Sequence, residues 1–378
     1  MIVAWIRLRN FRNHDESSLE FGDGVNVLLG DNGEGKTNVL EAISYLSLTK
    51  SFYASADETV LQFGKGSFDI EGSVVTASGI AHRVRVAYSR ENGEKAYEVD
   101  GARPERLSAV IGRFPIVILS PENSTITSGG PAERRKFVDL VLSQISRAYF
   151  ESLLEYRRVV RQRNKILLDA RLRGSDPGIL TEPWNESLAN LGSAIVHRRR
   201  GFAEEFQEYV LRAYCALVES GGERPVIRYE SSCVPEDAGV TPGDIRTRIL
   251  SELARRSPEE LRRGTTLVGP HRDELALLLG GIPVQQYASQ GQHKTLLVAL
   301  KIAEFQFMCE RRAERPILLL DDVFSELDVH RTTQILKLSK QLGQTIITTT
   351  DERVFAETVP WNGTHRRFYV ERGTCRPG

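Results

Sequence analysis

The chain up to about Leu119 alternates between apolar and polar positions, with one helical interruption. The first strand is predicted by apolar residues at every second position, namely Ile2, Ala4, Ile6 and Leu8. A second strand, Val25–Leu29, leads into a glycine-rich turn, and Asn38–Leu48 then follows with helical spacing. The same pattern predicts further strands at Phe68–Thr76, Arg83–Ala87 and Phe114–Leu119.

A helical period replaces this alternation between Pro131 and about Val218. Apolar residues there recur at spacings of three and four, and a breaker cluster at Arg173–Gly178 divides the pattern in two. Two long helices folded back on each other satisfy both halves. The segment Gly221–Asp244 is rich in glycine and proline and is predicted to be a loop. Strands alternate with helices again after Gly269.

The changes of period predict an α/β unit that is interrupted by a helical insert. We expect one half of the α/β unit at residues 1–120, the insert at 121–262 and the other half at 263–378. The two halves of the interrupted α/β unit should meet in space.

The turn after the second strand has the pattern GxxxxGK[ST] at Gly30–Thr37. Glycines let successive backbone N–H groups turn toward phosphate oxygens at the positive end of the following helix. Lys36 supplies a mobile cation for the β- and γ-phosphates, and the Thr37 hydroxyl is a ligand for Mg²⁺. The apolar strand before the motif and the amphipathic helix after it favour a nucleotide site over a chance match.

Near the other end, the apolar run Pro316–Leu320 ends in the paired acids Asp321 and Asp322. A strand with no polar side is typical of a central parallel strand, and ligands bind at the carboxyl ends of such strands. Asp321 is predicted to hold Mg²⁺, directly or through water. Asp322 is predicted to orient or deprotonate the attacking water. A structural role for both acids is the alternative.

Two shorter motifs flank this strand. Ser289-Gln290-Gly291-Gln292 precedes a strong helical pattern that runs to Arg311, and Ser325–Asp328 follows the paired acids. A serine and a glycine at a helix N-terminus form a second site that can face an anion, although it has no base or metal of its own.

Composition limits the class of protein. The 378 residues are 40% hydrophobic, and 50 Lys and Arg balance 50 Asp and Glu, which is typical of a globular chain and not of a disordered one. No apolar run is long enough for a membrane span, and the first residues do not form a signal peptide. The 4 cysteines form no CxxC pair, so we expect a reduced, cytoplasmic protein without a zinc site or a disulfide framework.

Zero net charge means that any binding of nucleic acid depends on local basic clusters. Three clusters lie within the predicted insert, and a solvated helix face is the simpler explanation of each. The clusters are Arg134–Lys136, the series Arg157, Arg158, Arg161, Arg163 and Lys165, and Arg198–Arg200.

The order of these motifs resembles the ABC-type ATPase head, and in more detail the RecF family of bacterial recombination proteins among the SMC-like heads. The resemblance extends over nearly the whole chain. It is carried by Asn10–Asn13, Gly30–Ile43, Ser120–Glu122, Gly130–Arg135, Asp139, Arg161–Asn164, Gly269–Asp273, Ser289–Gln292 and Leu320–Asp328.

The resemblance implies an ABC/SMC-like P-loop ATPase head, with a mixed sheet lobe and an α/β core, and an inserted α-helical lobe. It implies ATP and Mg²⁺ as cofactors, with Thr37 and Asp321 on the metal. The residues in the catalytic role would be Lys36, Asp321, Asp322 and Ser289. The residues around the nucleotide would be Arg12, Gly30, Asp31, Asn32, Gly33, Glu34, Gly35, Lys36, Thr37, Asn38, Ser289, Gly291 and Gln292.

The resemblance also implies a homodimer that forms on ATP binding, in which Ser289 contacts the γ-phosphate held by Lys36 of the partner chain. It implies a weak, DNA-stimulated ATPase that binds double-stranded and gapped DNA. Cooperation with RecR and RecO would then support RecA loading in DNA repair and replication restart. The DNA contacts expected in the insert are Arg157, Arg158, Arg161 and Arg163.

Some positions depart from the general ABC pattern. Asp322 stands where most such heads carry glutamate, and the switch histidine is missing, because the strand Thr345–Thr349 ends in Thr350 and Asp351. Glu122 is a candidate for the glutamine-loop residue. His271 is either a ligand or a packing residue of its loop.

Two alternatives to a DNA-repair ATPase remain open at this point. The nucleotide-binding subunit of a membrane transporter would use the same phosphate loop and signature. A pure dimerisation switch with negligible turnover would need the same binding residues as a weak ATPase.

Overall fold

The computed structural model describes residues 1–175, 178–218, 223–234, 241–324, 343–356 and 359–378. The chain divides into two compact units. The first contains residues 1–124, 216–219 and 297–378, and the second contains residues 125–215 and 220–296. Among the described residues, no helix has the length and apolar character that a membrane crossing requires.

The first unit contains a five-stranded antiparallel sheet in the order β2-β1-β4-β5-β6. Its strands alternate buried and exposed positions, as the period of two in the sequence predicts. The strands are β1 (Ile2–Phe11), β2 (His14–Glu20), β4 (Ser67–Val75), β5 (Ala81–Ser89) and β6 (Lys95–Val99).

A six-stranded sheet in the order β14-β13-β3-β12-β11-β7 forms the core of the first unit. All of its neighbouring strands are parallel except the pair β13 and β14. Every residue of β3, β7, β11 and β12 is buried, which explains the apolar runs of β7 and β11. The strands are β3 (Val25–Leu29), β7 (Ile116–Leu119), β11 (Ile317–Asp321), β12 (Thr345–Thr349), β13 (Arg366–Glu371) and β14 (Thr374–Pro377).

Helix α1 (Lys36–Leu48) packs against both sheets, contacting β1, β4 and β5 on one side and β11 and β12 on the other. This position explains why 11 of its residues are buried, including polar ones such as Glu41 and Ser44. The phosphate-loop pattern at the start of α1 is therefore anchored to a helix enclosed by the core of the unit.

The second unit consists mainly of helices, with one small sheet in the order β10-β9-β8. The helices are α2 (Thr125–Ser128), α3 (Pro131–Ile145), α4 (Arg147–Arg173), α5 (Gly178–Leu217), α6 (Pro242–Arg263), α7 (Val284–Tyr287) and the first residues of α8 (Gln290–Arg311). The strands are β8 (Pro225–Glu230), β9 (Glu274–Leu279) and β10 (Ile282–Pro283).

Helices α4 and α5 form the predicted antiparallel hairpin, but its first helix, expected to run from Pro131, is divided at Ser146 into α3 and α4. Tyr149 hydrogen-bonds Arg199, Tyr156 lies against Gly192, and Arg163 hydrogen-bonds Asn185. Along these three contacts the residue number rises on α4 and falls on α5. The two helices are therefore antiparallel.

The structure differs from the sequence-based expectation in two further places. The segment 221–244 was expected to be a loop, but it contains β8, and α6 already begins at Pro242. Pro225, Ile227 and Tyr229 are buried at every second position, and the proline occupies the first position of the strand, where it is tolerated.

The second difference concerns the boundary after the insert. Residues 263–296, expected in the C-terminal half of the head, belong to the second compact unit. The reason is the pairing of β9 with β8 and its packing on α3, which tie this segment to the helices. The boundary on the N-terminal side lies at Ser124, close to the expected residue 120.

Candidate nucleotide-binding site

The phosphate-loop pattern forms a tight connection between β3 and α1, and two of its glycines are required by close packing. A Cβ at Gly30 would lie 2.3 Å from the Val370 carbonyl oxygen. At Gly35, where φ is 109°, it would lie 2.5 Å from Asn13 Oδ1. Gly35 is also the N-cap of α1 and has no side chain to accept the first N–H groups of the helix, so these can face an anion.

Lys36 occupies the centre of the loop. Its Nζ donates to the carbonyl oxygens of Gly30 and Asp31, at 2.7 Å each, and the side chain is almost fully buried. Burial lowers the pKa of Lys36, and the charges of Asp322 and Asp31 oppose this effect only in part. The two carbonyl oxygens use two of the three N–H groups of the ammonium, and the third can donate to a phosphate.

Thr37 and Asp321 are brought together from distant parts of the chain. The Thr37 hydroxyl donates to Asp321 Oδ1 at 2.7 Å, and the Thr348 hydroxyl donates to the same oxygen at 2.7 Å. Burial raises the pKa of Asp321, while the two hydroxyl hydrogen bonds act in the opposite direction. A hydroxyl and a carboxylate in contact fit Mg²⁺, which is held by few protein oxygens and completed by phosphate and water.

Asp322 lies immediately after β11 in the left-handed region, with φ of 47°. Its backbone N–H donates to the Thr348 hydroxyl at 2.9 Å. Aspartate and asparagine tolerate this conformation better than longer side chains. The backbone therefore gives a physical reason for an aspartate at this position.

The loop is braced on one side by the turn after β1. Asn13 Nδ2 donates to the Glu34 carbonyl at 3.0 Å and its Oδ1 accepts from Asn38 Nδ2 at 2.7 Å. His14 Nε2 lies 3.1 Å from the Gly35 carbonyl oxygen, and burial lowers the pKa of this histidine. The motif Asn10–Asn13 pointed to this turn, but sequence reasoning did not assign a role to Asn13 or His14.

The other brace is the turn between β13 and β14. Gly373 N–H donates to the Glu34 carbonyl at 2.9 Å, and Arg372 N–H donates to the Glu34 carboxylate. The Gly373 carbonyl in turn accepts from the Ser17 hydroxyl at 2.8 Å. No motif marks these residues, and only the pairing of β13 with β3 brings them to the loop.

Arg12 lies beside the loop, and its guanidinium is engaged by the protein itself. It forms a bidentate ion pair with Glu41, at 2.8 and 2.7 Å, and donates to the Thr59 carbonyl at 3.0 Å. The hydrogen bond to Glu41 raises the pKa of Arg12. These contacts use three of its five N–H groups, and the expected contact with nucleotide stays a prediction.

Ser289 and Gln292 form a reciprocal cap at the start of α8. Gln292 N–H donates to Ser289 Oγ at 3.2 Å, and Ser289 N–H donates to Gln292 Oε1 at 2.7 Å. Gln292 Nε2 also donates to Glu223 at 2.8 Å, and both Ser289 and Gly291 are exposed. These residues belong to the second compact unit and the phosphate loop belongs to the first.

Other expected parts of the site are described incompletely. The motif Ser325–Asp328 lies outside the described residues. Glu122 is exposed in a short turn after β7, and its role as the glutamine-loop residue stays a prediction. At the expected switch position, Asp351 binds Arg353 at 2.9 Å.

Arg163 is not available to DNA, which corrects one expected contact. It is 2% exposed and binds Glu260 at 2.6 Å, Asn185 at 2.7 Å and Thr266 at 2.9 Å. Arg157, Arg158 and Arg161 are exposed on α4, and their contact with DNA stays a prediction.

The other two basic clusters also contain buried members. Arg134 forms a bidentate ion pair with Glu274, and Arg199 binds Asp139 at 2.8 Å. A fully solvated helix face, the simpler explanation of these clusters, is therefore wrong for both residues.

His271 packs within its loop. Its Nε2 donates to the Thr266 carbonyl at 3.2 Å, and its Nδ1 accepts from the Tyr156 hydroxyl at 2.6 Å. Burial lowers the pKa of His271 to about 4, so the ring is neutral at ordinary pH. Of the two roles left open for this residue, the contacts favour packing.

Comparison with known proteins tests the family resemblance of the whole chain. The model of the RecF/RecN/SMC N-terminal domain matches residues 2–373. A protein from Salinibacter ruber named DNA replication and repair protein RecF is 42% identical over 99% of this chain and 91% of its own length. The chain belongs to the RecF family. A second RecF, from Chloroherpeton thalassium, is 40% identical over 93% of this chain and 95% of its own length.

Solved structures agree with this family. One described as the recombination mediator protein RecF with ATP, in the RecFOR pathway, has a TM-score of 0.91 and 32% identity, and the match covers 100% of this chain and 97% of that one. An Smc head domain derived from Pyrococcus furiosus has a TM-score of 0.56 at 14% identity, covering 100% and 95%, which shows the shared head fold alone. The expected fold class is confirmed. The RecF relatives give no support to the transporter alternative.

Proposed function

We propose that this protein is an ATP-dependent DNA-binding recombination mediator. ATP would drive its dimerisation around double-stranded or gapped DNA, and slow hydrolysis would release the DNA. In this role it would cooperate with RecR and RecO to support RecA loading in repair and replication restart. The observation that carries the proposal is the contact of Thr37 with Asp321 directly beside Lys36, in a chain of the RecF family.

The loop around Lys36 fits the phosphates of ATP. The first N–H groups of α1 and the Lys36 ammonium supply positive potential at one point. Thr37 and Asp321 would hold Mg²⁺, which supplies charge neutralisation between the phosphates when it is bound. Asp322 would orient a water molecule, and its left-handed backbone fixes the direction in which its short side chain leaves the strand.

Ser289 would complete the site of a partner chain. Its hydroxyl oxygen accepts from Gln292 N–H, and this leaves the hydroxyl proton available for an anion. Ser289 is exposed at the N-terminus of a helix of 22 residues, where an anion is stabilised. A self-complementary interface between two copies would use this arrangement twice.

The test is the mass of the full chain by light scattering, with and without ATP and Mg²⁺. We expect a monomer that becomes a dimer only with ATP, and an Asp322→Asn variant in which this dimer persists. Asparagine suits the backbone conformation at this position, so the variant should fold normally. A monomeric Asp322→Asn protein in the presence of ATP would refute the role given to Asp322.

Two further variants separate nucleotide binding from association. Lys36→Met should lose both, whereas Ser289→Arg should bind ATP as a monomer but fail to dimerise. Gln286→Arg is the matched control for Ser289→Arg, because Gln286 is also exposed and lies just outside the motif. If the monomeric Ser289→Arg protein lost as much ATP affinity as Lys36→Met, Ser289 would act within its own chain.

A further inference from the structure

A cleft of about 630 Å³ lies between α3 and α4 in the second unit. Its apolar floor is formed by side chains of α4, namely Leu153, Leu154, Tyr156 and Val160. Its rim is basic, with Arg135 and Lys136 from α3 and Arg157 and Arg161 from α4. None of the residues placed at the nucleotide lines this cleft.

The positive charge of the cleft is balanced only in part from within the protein, since Lys136 pairs with Glu133 at 2.7 Å and Arg157 pairs with Asp139 at 3.1 Å. Among the described lining residues, Asp139 is the acidic one, and its oxygens are already bound. Oδ1 accepts from the Tyr149 hydroxyl at 2.6 Å and from Arg199 at 2.8 Å, and Oδ2 accepts from Arg157 at 3.1 Å. Arg161 has no ion-pair partner in the part of the chain that the structure describes.

Arg135 is a half-buried cation of the rim. One of its terminal nitrogens donates to the Asp273 carbonyl at 2.7 Å, so its charge meets a neutral oxygen. Burial and the neighbouring Arg199 lower the pKa of Arg135. A carboxylate bound at this point would compensate for the lost hydration of Arg135 and would reduce its repulsion by Arg199.

We propose that this cleft binds an acidic peptide segment of a partner protein, with an aliphatic or aromatic side chain seated on the apolar floor. Charge complementarity selects the acidic residues, since Arg135 and Arg161 line the cleft and have no carboxylate partner among the described residues. The floor selects the apolar side chain. Leu154 is 39% exposed beside the buried Leu153, so it offers apolar surface that only an apolar group would cover favourably.

A peptide fits this combination better than a DNA backbone does. A phosphate backbone would use the arginines of the rim but has no apolar group to place on the floor. Linear peptide motifs that alternate acidic and apolar residues supply both kinds of contact. The proposal thus assigns to Arg157 and Arg161 a different ligand from the DNA that their sequence pattern suggested.

The probe is a set of short fluorescent acidic peptides that carry leucine, phenylalanine or serine at one central position. Anisotropy titration with the full chain should show binding of the leucine or phenylalanine peptide, and at least about tenfold weaker binding of the serine peptide. Equal binding of all three peptides would reduce the cleft to a nonspecific basic surface. No binding of any member tighter than about 1 mM would overturn the proposal.

Two matched pairs of variants locate the binding. Leu154→Ser should weaken the leucine peptide by about tenfold, whereas Leu168→Ser, at an equally exposed position of α4 outside the cleft, should not. Arg161→Gln should weaken it as well, whereas Arg158→Gln should not, because Arg158 does not line the cleft. Identical effects within either pair would contradict the assignment.

Duplex DNA is the competing ligand. If a short duplex displaced the peptide and its affinity fell with Arg161→Gln but not with Leu154→Ser, the cleft would be a DNA surface and the proposal would be wrong. We expect Leu154→Ser to leave the binding of duplex DNA unchanged and to affect the peptide alone.

Discussion

At the scale of single residues, one hydroxyl joins the two motifs of the nucleotide site. Thr37 and Asp321 are 284 positions apart in the chain, yet their oxygens are 2.7 Å from each other. Thr348 binds the same carboxylate oxygen and also the backbone of Asp322, so one side chain fixes both acids. The site is thus arranged by neighbouring residues of the sheet before any ligand arrives.

His271 gives a prediction at the same scale. Its pKa is about 4 in the folded chain and 6.5 in the unfolded one, so folding favours the neutral ring. This contribution to stability is complete above pH 6.5 and is lost as the pH falls toward 4. We expect the urea midpoint of the second unit to fall over this window.

The control for this prediction is His271→Gln, which does not titrate. The variant should be less stable than the natural chain at pH 7, and the difference between them should shrink toward pH 4. A difference that stays constant with pH would show that His271 does not carry the effect.

At the scale of secondary structure, the sequence predicts long periodic segments well. It predicts short strands and the burial of charged residues poorly. The strands that border the phosphate loop and the α4–α5 hairpin follow directly from spacing, because burial on one or two faces leaves a clear period. β8 was missed because its six residues lie among glycines and prolines.

Arg163 shows why charge alone is ambiguous. It stands in the same basic series as Arg158, but Glu260, which is 97 positions away, balances it in the interior. A sequence shows the charge of a residue but not the partner that folding brings to it.

Arg163 therefore allows a prediction about the packing of α4 on α6. Arg163→Met should lower the free energy of unfolding by about 3–5 kcal/mol, because it leaves the buried Glu260 without its cation. Arg158→Met on the same helix should change it by less than about 0.5 kcal/mol, since its ion pair with Glu155 is exposed. Chemical denaturation followed by circular dichroism measures both, and equal effects would contradict the structural role of Arg163.

At the scale of the whole molecule, the net charge of zero makes DNA binding depend on local surfaces. We expect the ATP-bound form to lose affinity for duplex DNA as salt rises, with a slope of about −0.9 in log–log form for each phosphate neutralised. Arg158→Gln should reduce this slope by about one if the exposed face of α4 contacts the backbone.

The measurement is a series of DNA titrations at increasing salt, with nucleotide affinity followed over the same range as the control. Affinity for DNA that does not change with salt, while ATP still binds, would exclude a mechanism based on phosphate contacts.

The residues of the site that the sequence did not predict are brought to the phosphate loop by the order of strands in the sheet. Asn13 braces the loop through its side-chain amide and Gly373 through its backbone N–H, and the sequence assigned this role to neither residue. They reach the loop because β13 lies beside β3 and because a turn follows β1. Sheet order decides such contacts, and it depends on pairing between strands that are hundreds of positions apart.

This sheet order has a consequence for the synthesis of the chain. β3 leads into the phosphate loop, and its neighbours among the described strands are β12 and β13. Both neighbours emerge from the ribosome more than three hundred residues after β3 itself. The strand has no edge to join until then, and Glu34 lacks its partners at Arg372 and Gly373. The phosphate loop of a nascent chain therefore gains these braces only after β13 and β14 have left the ribosome.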